Sequence, residues 1–246
     1  MDTENEKALK LVNLISDNYL EIYNTDTFQK VETFNKSEYI LTASGNIVCK
    51  ESILCGMKNI HMIGKSIIKQ NVILRGDLSN LYFGKYVCIG CKTLICPCFI
   101  RNKENIMNNT NTNNYCDNNN NNDNNNNNSD KYTTDQTNEN NNKYLYINVT
   151  IGDNVLIGED CIVKAVFIGN NVVIGNNCVI GERVIIKDNV IISDNTFIPD
   201  DTIITSFSKY SGTPARFVST LPPSAQIFLK DISYFYYKNF IPNPET

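Results

Sequence analysis

Residues 151–203 read IGDNVL, IGEDCI, VKAVF, IGNNVV, IGNNCV, IGERVI, IKDNVI, ISDNTF and IPDDTI. Every block opens with an aliphatic residue, and all but one of the blocks are six residues long. The opening residues are Ile151, Ile157, Val163, Ile168, Ile174, Ile180, Ile186, Ile192 and Ile198. This period matches neither an α-helix, with about 3.6 residues per turn, nor the simple alternation of a long strand. It indicates one short strand and one turn in each block.

The other positions of the block fit this interpretation. Glycine, Asp and Asn fill positions two to four, where they suit the backbone angles of a tight corner. The fifth position is small or β-branched in eight blocks, at Val155, Cys161, Val172, Cys178, Val184, Val190, Thr196 and Thr202. We therefore expect the opening residues to point inward as the structural core, together with Cys161 and Cys178.

Three such blocks would make one triangular coil of about 18 residues, and coils stack at the strand spacing of about 4.8 Å. The predicted fold class is an all-β solenoid, a left-handed parallel β-helix of hexapeptide repeats. Its hand departs from the usual right-handed crossover rule, so it depends on the repeat pattern alone. Weaker blocks of the same kind come earlier, at 63–67, 68–72, 74–78, 83–87 and 89–93. The β-helix is thus predicted over 35–99 and 147–220.

An Asn-rich tract separates the two repeat regions. Residues 102–142 contain 21 asparagines in 41 positions, with too few apolar side chains to offset the entropy of ordering. We expect 100–146 to be a disordered loop that leaves one corner of a continuous solenoid, because the repeat resumes after it.

Both ends of the chain have helical patterns. In the N-terminal extension, 1–34, an apolar stripe predicts a partly helical segment and comprises Ala8, Leu11, Val12, Ile15, Tyr19 and Ile22. At the C-terminus, 221–246, a helix is predicted after Pro222–Ser224 and before Pro242. Its packing stripe is expected at Phe228, Ile232, Phe235 and Tyr236.

Composition excludes several classes of function. The net charge is −4, and Lys and Arg are scattered, so nucleic acid is not expected as a partner. No apolar run reaches the roughly 18 residues of a membrane span, and residues 1–10 are too polar for a secretory signal. We therefore expect a cytoplasmic protein without direct membrane insertion, in which the nine cysteines are reduced thiols.

An ordered series of segments, some between the repeats and some within them, runs along the chain: NKSEYI (35–40), TASGN (42–46), SILCG (52–56), RGDL (75–78), GEDC (158–161), NCVIG (177–181), SGTP (211–214) and YYKNFIP (236–242). This series resembles the dynactin subunit 5 family. The resemblance covers about 35–99 and 147–242. The first 34 residues and the Asn-rich loop have no counterpart in the family pattern.

The resemblance implies a non-enzymatic scaffold subunit of the dynactin pointed-end complex, in the cytoplasm and on the cytoskeleton. Such a subunit would support dynein-based transport along microtubules and the engagement of cargo adaptors. The partners it implies are a second β-helical subunit (dynactin subunit 6), dynactin subunit 4, actin-related protein 11 and dynein cargo adaptors. It implies no cofactor.

Two alternatives share the repeat. A γ-class carbonic anhydrase needs three imidazoles on zinc, whereas this chain has one histidine, His61. The positions that align with the zinc ligands of that class are Glu159, Lys164 and the stretch 96–99. A hexapeptide acyltransferase commonly uses a histidine as general base, and only His61 is available. We expect no catalytic residue, and keep an acyltransferase or an inactive carbonic-anhydrase-like homotrimer as the alternative.

Two further motifs call for a local explanation. Cys88, Cys91, Cys96 and Cys98 have metal-like spacing, but Pro97 divides the second pair, so we expect isolated thiols and no metal. Arg75-Gly76-Asp77 is expected to form a corner turn whose Arg–Asp pair braces neighbouring coils.

Overall fold

The structure, a computed structural model, describes residues 31–101 and 144–243. It divides into two compact units, residues 1–98 with 146–246 and residues 99–145. The predicted N-terminal helix and most of the Asn-rich loop lie outside the described residues.

The first part of the larger unit contains ten strands and two short 3-10 helices. The strands are β1 (Glu32–Phe34), β2 (Tyr39–Leu41), β3 (Ile47–Cys49), β4 (Ile53–Cys55), β5 (Ile60–Gly64), β6 (Ile67–Ile68), β7 (Ile73–Arg75), β8 (Leu81–Lys85), β9 (Cys88–Ile89) and β10 (Leu94–Ile95). The 3-10 helices are Lys36–Glu38 and Met57–Asn59. Strands β11 (Phe99–Arg101) and β12 (Tyr144–Tyr146) follow, and they form a two-stranded sheet.

The second part of the larger unit contains the remaining strands and the single described α-helix. The strands are β13 (Val149–Ile151), β14 (Val155–Ile157), β15 (Ile162–Val163), β16 (Phe167–Ile168), β17 (Val172–Ile174), β18 (Val179–Ile180), β19 (Ile185–Ile186), β20 (Val190–Ile192), β21 (Phe197–Ile198), β22 (Ile203–Ile204), β23 (Ser208–Ser211) and β24 (Arg216–Thr220). Helix α1 (Ala225–Asn239) and β25 (Phe240–Pro242) end the described chain, and β25 pairs in parallel with β1.

These strands stack into three sheets, one on each side of a triangular solenoid. Sheet one has the order β2-β3-β6-β9-β14-β17-β20-β23-β24, sheet two β21-β18-β15-β10-β7-β4, and sheet three β22-β19-β16-β13-β8-β5. Sheets two and three take one strand from each of six coils. Pairing between coils is parallel, as in the column Ile157, Ile174 and Ile192. The predicted fold class, a parallel β-helix of hexapeptide repeats with a C-terminal helix, is confirmed.

The inside of the solenoid is filled by the residues that open the blocks. All of them, from Ile151 to Ile198, are at most 2% exposed. Cys161 and Cys178 are fully buried among them, whereas Thr202 is only half-buried. Burial of this continuous aliphatic column is the main force that holds the coils together, at about 25 cal/mol for each Å² of apolar surface.

Two positions of each block, the second and the fourth, shape the corners of the solenoid. The fourth position has a left-handed backbone, for example at Asn154, Asn171 and Asn189, with φ of 57°, 54° and 59°. The glycine at the second position has another purpose, because a Cβ on Gly152 would lie 2.8 Å from the backbone carbon of Gly169 in the next coil. Glycine is therefore required there by the close stacking of coils and not by its own φ.

One early block starts a residue sooner than the sequence indicated. Ile63 was expected to open a block and point inward, but its side chain is 62% exposed. Met62 occupies the inward position instead, in register with Phe83 of the next coil. The fourth position of a block has a left-handed backbone. Lys65 has one and lies three positions after Met62, so this block starts at Met62.

Helix α1 covers the outer face of sheet one. Its buried residues are Ala225, Leu229, Ile232 and Ser233. The predicted stripe is therefore rotated: Ile232 is buried, Phe228 and Tyr236 pack at its borders, and Phe235 is half-exposed against the ring of Tyr234. The helix thus turns its smaller aliphatic residues toward the sheet and keeps the rings of Phe228 and Tyr236 at the borders of the contact.

Candidate interaction surfaces

Each sheet of the solenoid has an outward row with one side chain from each coil. We call the row on sheet two the sheet-two ladder, and register pairing joins its members from coil to coil. It consists of Ile53, Ile73, Leu94, Ile162, Val179 and Phe197. Every member is apolar, and none is buried, with exposed fractions that range up to 53% at Ile53. A contiguous apolar row of this kind on a surface marks an interaction site.

The outward row of sheet one is covered by the chain itself. This sheet-one ladder consists of Ile47, Ile67, Cys88, Leu156, Val173 and Ile191. The side of α1 that carries Leu229 and Ile232 packs on Val173 and Ile191, while Tyr236 packs near Ile67 and Cys88.

The outward row of sheet three is chemically mixed. The sheet-three ladder consists of His61, Tyr82, Thr150, Phe167, Ile185 and Ile203. Polar side chains interrupt it at His61 and Thr150, so this face is less suited to a continuous apolar contact than sheet two.

The two ends of the solenoid differ in how their strand edges are covered. Sheet one is closed at both ends by an antiparallel strand, β2 at the first coil and β24 at the last. In the last coil the backbone of Phe197 in β21 also pairs, with Gly212 and Ala215. In the first coil no further strand of the described chain pairs with β4 or β5. The first coil also exposes Met57 and Ile63, at 70% and 62%.

An ionic contact in which the ammonium is buried ties the N-terminal strand to the solenoid. The Lys69 ammonium lies 2.7 and 2.8 Å from the two carboxylate oxygens of Glu32, and the Lys69 side chain is 6% exposed. The Tyr236 hydroxyl donates to the same carboxylate, and its neighbour Tyr237 donates to the Gly45 carbonyl at 2.7 Å. These contacts fasten β1 and α1 to the first two coils.

The Arg75-Gly76-Asp77 turn is braced within itself. The Arg75 guanidinium makes two hydrogen bonds of 2.8 Å to the Asp77 carboxylate, which lower the pKa of Asp77. This corrects the expectation of a pair between coils. The coils are linked instead by Asn59, whose amide donates to the Gly76 carbonyl at 2.8 Å, and Gly76 itself packs too closely on Ile60 for a Cβ.

Charged pairs between coils occur elsewhere, on the later corners. Arg183 makes two hydrogen bonds to Asp201 in the next coil, at 2.6 and 2.8 Å, and they lower the pKa of Asp201. Lys164 contacts Glu182 at 3.3 Å. Both sets are largely solvated, so neither is expected to contribute much to stability.

The residues considered for catalysis lie apart. His61 is exposed on sheet three, where its ring stacks on Tyr82 at 4.9 Å between centroids. Glu159 is exposed at a corner, and Lys164 makes an ionic contact with Glu182. Cys98 is buried, with its thiol pKa raised by burial. Within residues 31–101 and 144–243, no three His, Cys, Asp or Glu side chains meet as a metal site would require.

The four spaced cysteines occupy different environments. Cys88 faces α1, and burial raises the pKa of its thiol to about 12. Cys91 lies at the following corner near the Gln70 side chain, and Cys96 lies at the next corner with its thiol near the Pro97 carbonyl. Burial raises the thiol pKa at Cys91 and Cys96 too, so thiolates are disfavoured at these positions.

Three important residues were not singled out from the sequence. Glu32 and Lys69 form the ionic contact described above, and Leu229 is the most buried anchor of α1. Leu229 could have been found, because it lies four residues from Ala225 on one helical face. A lone Glu and a lone Lys that are 37 positions apart carry no such signal.

The described residues form six stacked coils with an aliphatic interior and flat faces, and no catalytic cluster occurs among them. They define a hexapeptide-repeat β-helix whose outer faces and ends are its candidate interaction surfaces. The sequence profile of dynactin subunit 5 matches residues 30–110 and 137–245. The chain belongs to the dynactin subunit 5 family.

A curated relative, dynactin subunit 5 from Dictyostelium discoideum, is 52% identical over 64 residues. That match spans 26% of this chain and about a third, 32%, of the relative. Each of the two parts of the solenoid thus has family support from the profile, whereas the curated relative supports a shorter stretch.

Solved structures are similar to this chain at low sequence identity. An N-acyltransferase from Bacillus cereus, AntD, solved with dTDP and coenzyme A, has a TM-score of 0.50 at 12% identity, over 85% of this chain and 96% of that one. A hexapeptide transferase family protein from Anaplasma phagocytophilum has a TM-score of 0.49 at 15% identity, over 80% and 92%. At 12% identity, the similarity to AntD supports the fold alone.

Helix α1 is the sole α-helix in the described ranges, and neither its length nor its hydropathy suffices to cross a membrane.

Proposed function

We propose that this protein is a non-enzymatic scaffold subunit of the dynactin pointed-end complex. In this role it acts in the cytoplasm and on the cytoskeleton, and it supports dynein-based transport on microtubules and the engagement of cargo adaptors. The observation that carries the proposal is the family match to both parts of the solenoid, before and after the Asn-rich insertion.

The architecture supports a structural role. Parallel coils joined by backbone hydrogen bonds make a stiff body, and stiffness is what a subunit needs if it holds other proteins at fixed positions. The side chains that an acyltransferase or a carbonic anhydrase would use are separated on different faces, as His61 and Glu159 are.

The first coil is the preferred docking end for a second β-helical subunit. Strands β4 and β5 end their sheets there, and no described strand covers them. Unpaired edges invite the addition of another strand, and Met57 and Ile63 surround these edges with apolar surface. Dynactin subunit 6 is the proposed partner at this end, with subunit 4, actin-related protein 11 and the cargo adaptors on other surfaces.

The test is affinity purification of the tagged full-length protein from its own cells, with mass spectrometry of the captured proteins and light scattering of the purified chain. The expected result is capture of a second hexapeptide-repeat protein together with actin-related and dynein components. A clean homotrimer without these companions would contradict the scaffold role and favour an acyltransferase or an inactive carbonic-anhydrase-like protein.

A pair of matched variants tests the docking end separately. Ile63→Lys places a charge on the open edge strand β5, whereas Ile203→Lys places one on the last coil, at a residue with 57% exposure. Capture of the β-helical partner should fall with Ile63→Lys and persist with Ile203→Lys. The opposite pattern would assign the partner to the last coil, and equal loss in both would mean that neither end is specific.

A further inference from the structure

Two cysteines lie one above the other inside the solenoid, and the scaffold role does not use their chemistry. Cys161 directly precedes β15 and Cys178 directly precedes β18, and these strands pair in register. The Ile162 amide donates to the Cys178 carbonyl at 2.9 Å, which continues the register to the two cysteines. Both side chains are fully buried. The chain therefore brings two thiols to the same position of neighbouring coils.

Hydrogen bonds link this column of side chains from coil to coil. Thr93 precedes Cys161 in the column and Thr196 follows Cys178, and both threonines are buried. The Cys161 amide donates to the Thr93 hydroxyl at 3.1 Å, and the Cys178 amide donates to the Cys161 sulfur at 3.4 Å. The Cys161 thiol donates in turn to the carbonyl of Gly175, in the coil of Cys178, at 3.1 Å. The Cys161 sulfur therefore points toward the coil that carries the second thiol.

The spacing of the coils suits a disulfide between these two residues. Paired strands lie about 4.8 Å apart, and the Cα atoms that a disulfide joins are usually about 4.4–6.8 Å apart. The Cys178 thiol donates to the carbonyl of Ser193, in the following coil, at 3.1 Å. A rotation about χ1 of Cys178 would turn its sulfur back toward Cys161. The bond thus requires a side-chain rotation and no change of register.

The two thiols differ in acidity and lie near one exposed corner. The hydrogen bond between them lowers the pKa of Cys161 and raises the pKa of Cys178. The thiolate is the reactive form of cysteine, so Cys161 is the first candidate for oxidation. Its sulfur lies 3.4 Å from the carbonyl oxygen of Glu159, an exposed corner residue. A small oxidant can therefore reach Cys161 through a local opening of this corner.

We propose that Cys161 and Cys178 form a redox-sensitive pair, which hydrogen peroxide converts into a disulfide between neighbouring coils. First, the Cys161 thiolate bonds to one peroxide oxygen, the O–O bond breaks, and the departing hydroxide takes up the proton that Cys161 released. The product is a sulfenic acid. The Cys178 thiol then attacks the sulfenic sulfur, and its proton leaves with the hydroxyl group as water. Two electrons pass from the two thiols to the peroxide.

The disulfide would act as a staple within the second half of the solenoid. It closes a loop of one coil and so removes entropy from the unfolded chain. Sheet two would then be cross-linked between β15 and β18, in the middle of its stack. The oxidised protein is therefore expected to unfold at a higher temperature than the reduced protein, and a thiol reductant should reverse the change.

Peroxide treatment of the purified full-length protein tests the proposal. The remaining thiols are alkylated after denaturation, and tryptic peptides are analysed by mass spectrometry. Lys164 lies between the two cysteines, so trypsin separates them unless they are linked. The parent protein should give a peptide pair linked through Cys161 and Cys178, which dithiothreitol separates. Its thermal midpoint should rise by about 5 °C on oxidation and return on reduction.

Threonine variants provide the matched comparison. Cys161→Thr and Cys178→Thr each remove one thiol, and Thr93 and Thr196 show that threonine fits this column. Each variant should remain folded by circular dichroism, lose the linked peptide pair and lose the rise in the thermal midpoint. Cys98→Ala removes a buried thiol outside the column and should leave both effects unchanged.

Three outcomes would overturn the proposal, and each is read from the parent protein alone. One is recovery of both cysteines as alkylated thiols after peroxide treatment. Another is oxidation of Cys161 to a sulfinic acid while Cys178 stays a free thiol. The third is a disulfide from either residue to a different cysteine.

Discussion

The Tyr236 hydroxyl donates a 2.9 Å hydrogen bond to the carboxylate of Glu32, although 204 positions of sequence separate the two residues. The same carboxylate holds the buried ammonium of Lys69. One acidic side chain therefore joins the first strand, the second coil and the C-terminal helix. This contact therefore holds the start and the end of the described chain together at one corner of the solenoid.

Replacing Glu32 with Ala should lower the free energy of unfolding by about 1–3 kcal/mol, because the ammonium of Lys69 would stay buried without its carboxylate. Urea denaturation measures the change. In a Lys69→Met background the same substitution should cost less, because no buried charge is left unpaired. An equal cost in the two backgrounds would show that Lys69 and Glu32 do not interact.

Alkaline pH should destabilise the fold through groups buried near this contact. Burial raises the pKa of the Tyr236 phenol above its ordinary value of 10.0, and that of the Cys88 thiol from 9.0 to about 12. Between the ordinary and the raised pKa, the unfolded chain loses these protons and the folded chain keeps them. Stability is therefore complete below about pH 9 and declines as the pH rises toward the raised values.

The measurement is the thermal midpoint from about pH 8 to pH 11, with Tyr236→Phe as the comparison. The variant lacks the phenol proton, so its midpoint should fall less steeply with pH than that of the parent, although it starts lower because it lacks the hydrogen bond to Glu32. Parallel pH profiles would mean that Tyr236 does not titrate with folding.

Two adjacent residues test the inward register. Ile180 is fully buried and Val179 is 37% exposed on the sheet-two ladder. Ile180→Asp should lower the free energy of unfolding by about 4 kcal/mol or more, because it buries an unpaired carboxylate. Val179→Asp should cost about 1 kcal/mol or less. Similar losses for the two variants in urea denaturation would show that the register is wrong.

The sequence predicts the solenoid well because one repeat determines both the local strand and turn and the stacking of the coils. Each opening residue, such as Ile174, takes the same position in every coil, so one period determines both the strand and its buried side. Where a block lacks the pattern, as around Ile63, the sequence predicts its start one residue late. The repeat itself shows the correct start, since the left-handed fourth position at Lys65 lies three residues after Met62.

The contacts that fasten the flanking segments were not predictable in the same way. Glu32, Lys69 and Tyr236 meet only after the coils have stacked, so no local spacing in the sequence predicts their contact. For α1, the predicted row through Phe235 and the observed row through Leu229 are both apolar. Periodicity cannot choose between them, because the choice depends on the shape of sheet one.

The corner asparagines form a ladder of side-chain hydrogen bonds from coil to coil. The Asn154 amide donates to Asn171 at 3.2 Å, and the Asn171 amide donates to Asn189 at 3.0 Å. Asn171→Gly removes these bonds but tolerates the left-handed backbone, whereas Asn171→Ala also adds the cost of φ at 54°. Thermal or urea unfolding should therefore find Asn171→Ala less stable than Asn171→Gly by about 1 kcal/mol. Equal stability would mean that the hydrogen bonds, and not the backbone angle, select Asn here.

The last prediction concerns the face of α1 that holds the helix to sheet one. Leu229 is fully buried and Phe235 is half-exposed, so Leu229→Ala should cost about 2–5 kcal/mol and Phe235→Ala about 1 kcal/mol. The cavity left at Leu229 lies against Val173 and Ile191. Urea denaturation of the two variants measures the difference. A larger loss for Phe235→Ala would mean that the helix presents the face predicted from its aromatic stripe, and that the helix is rotated relative to the contact described above.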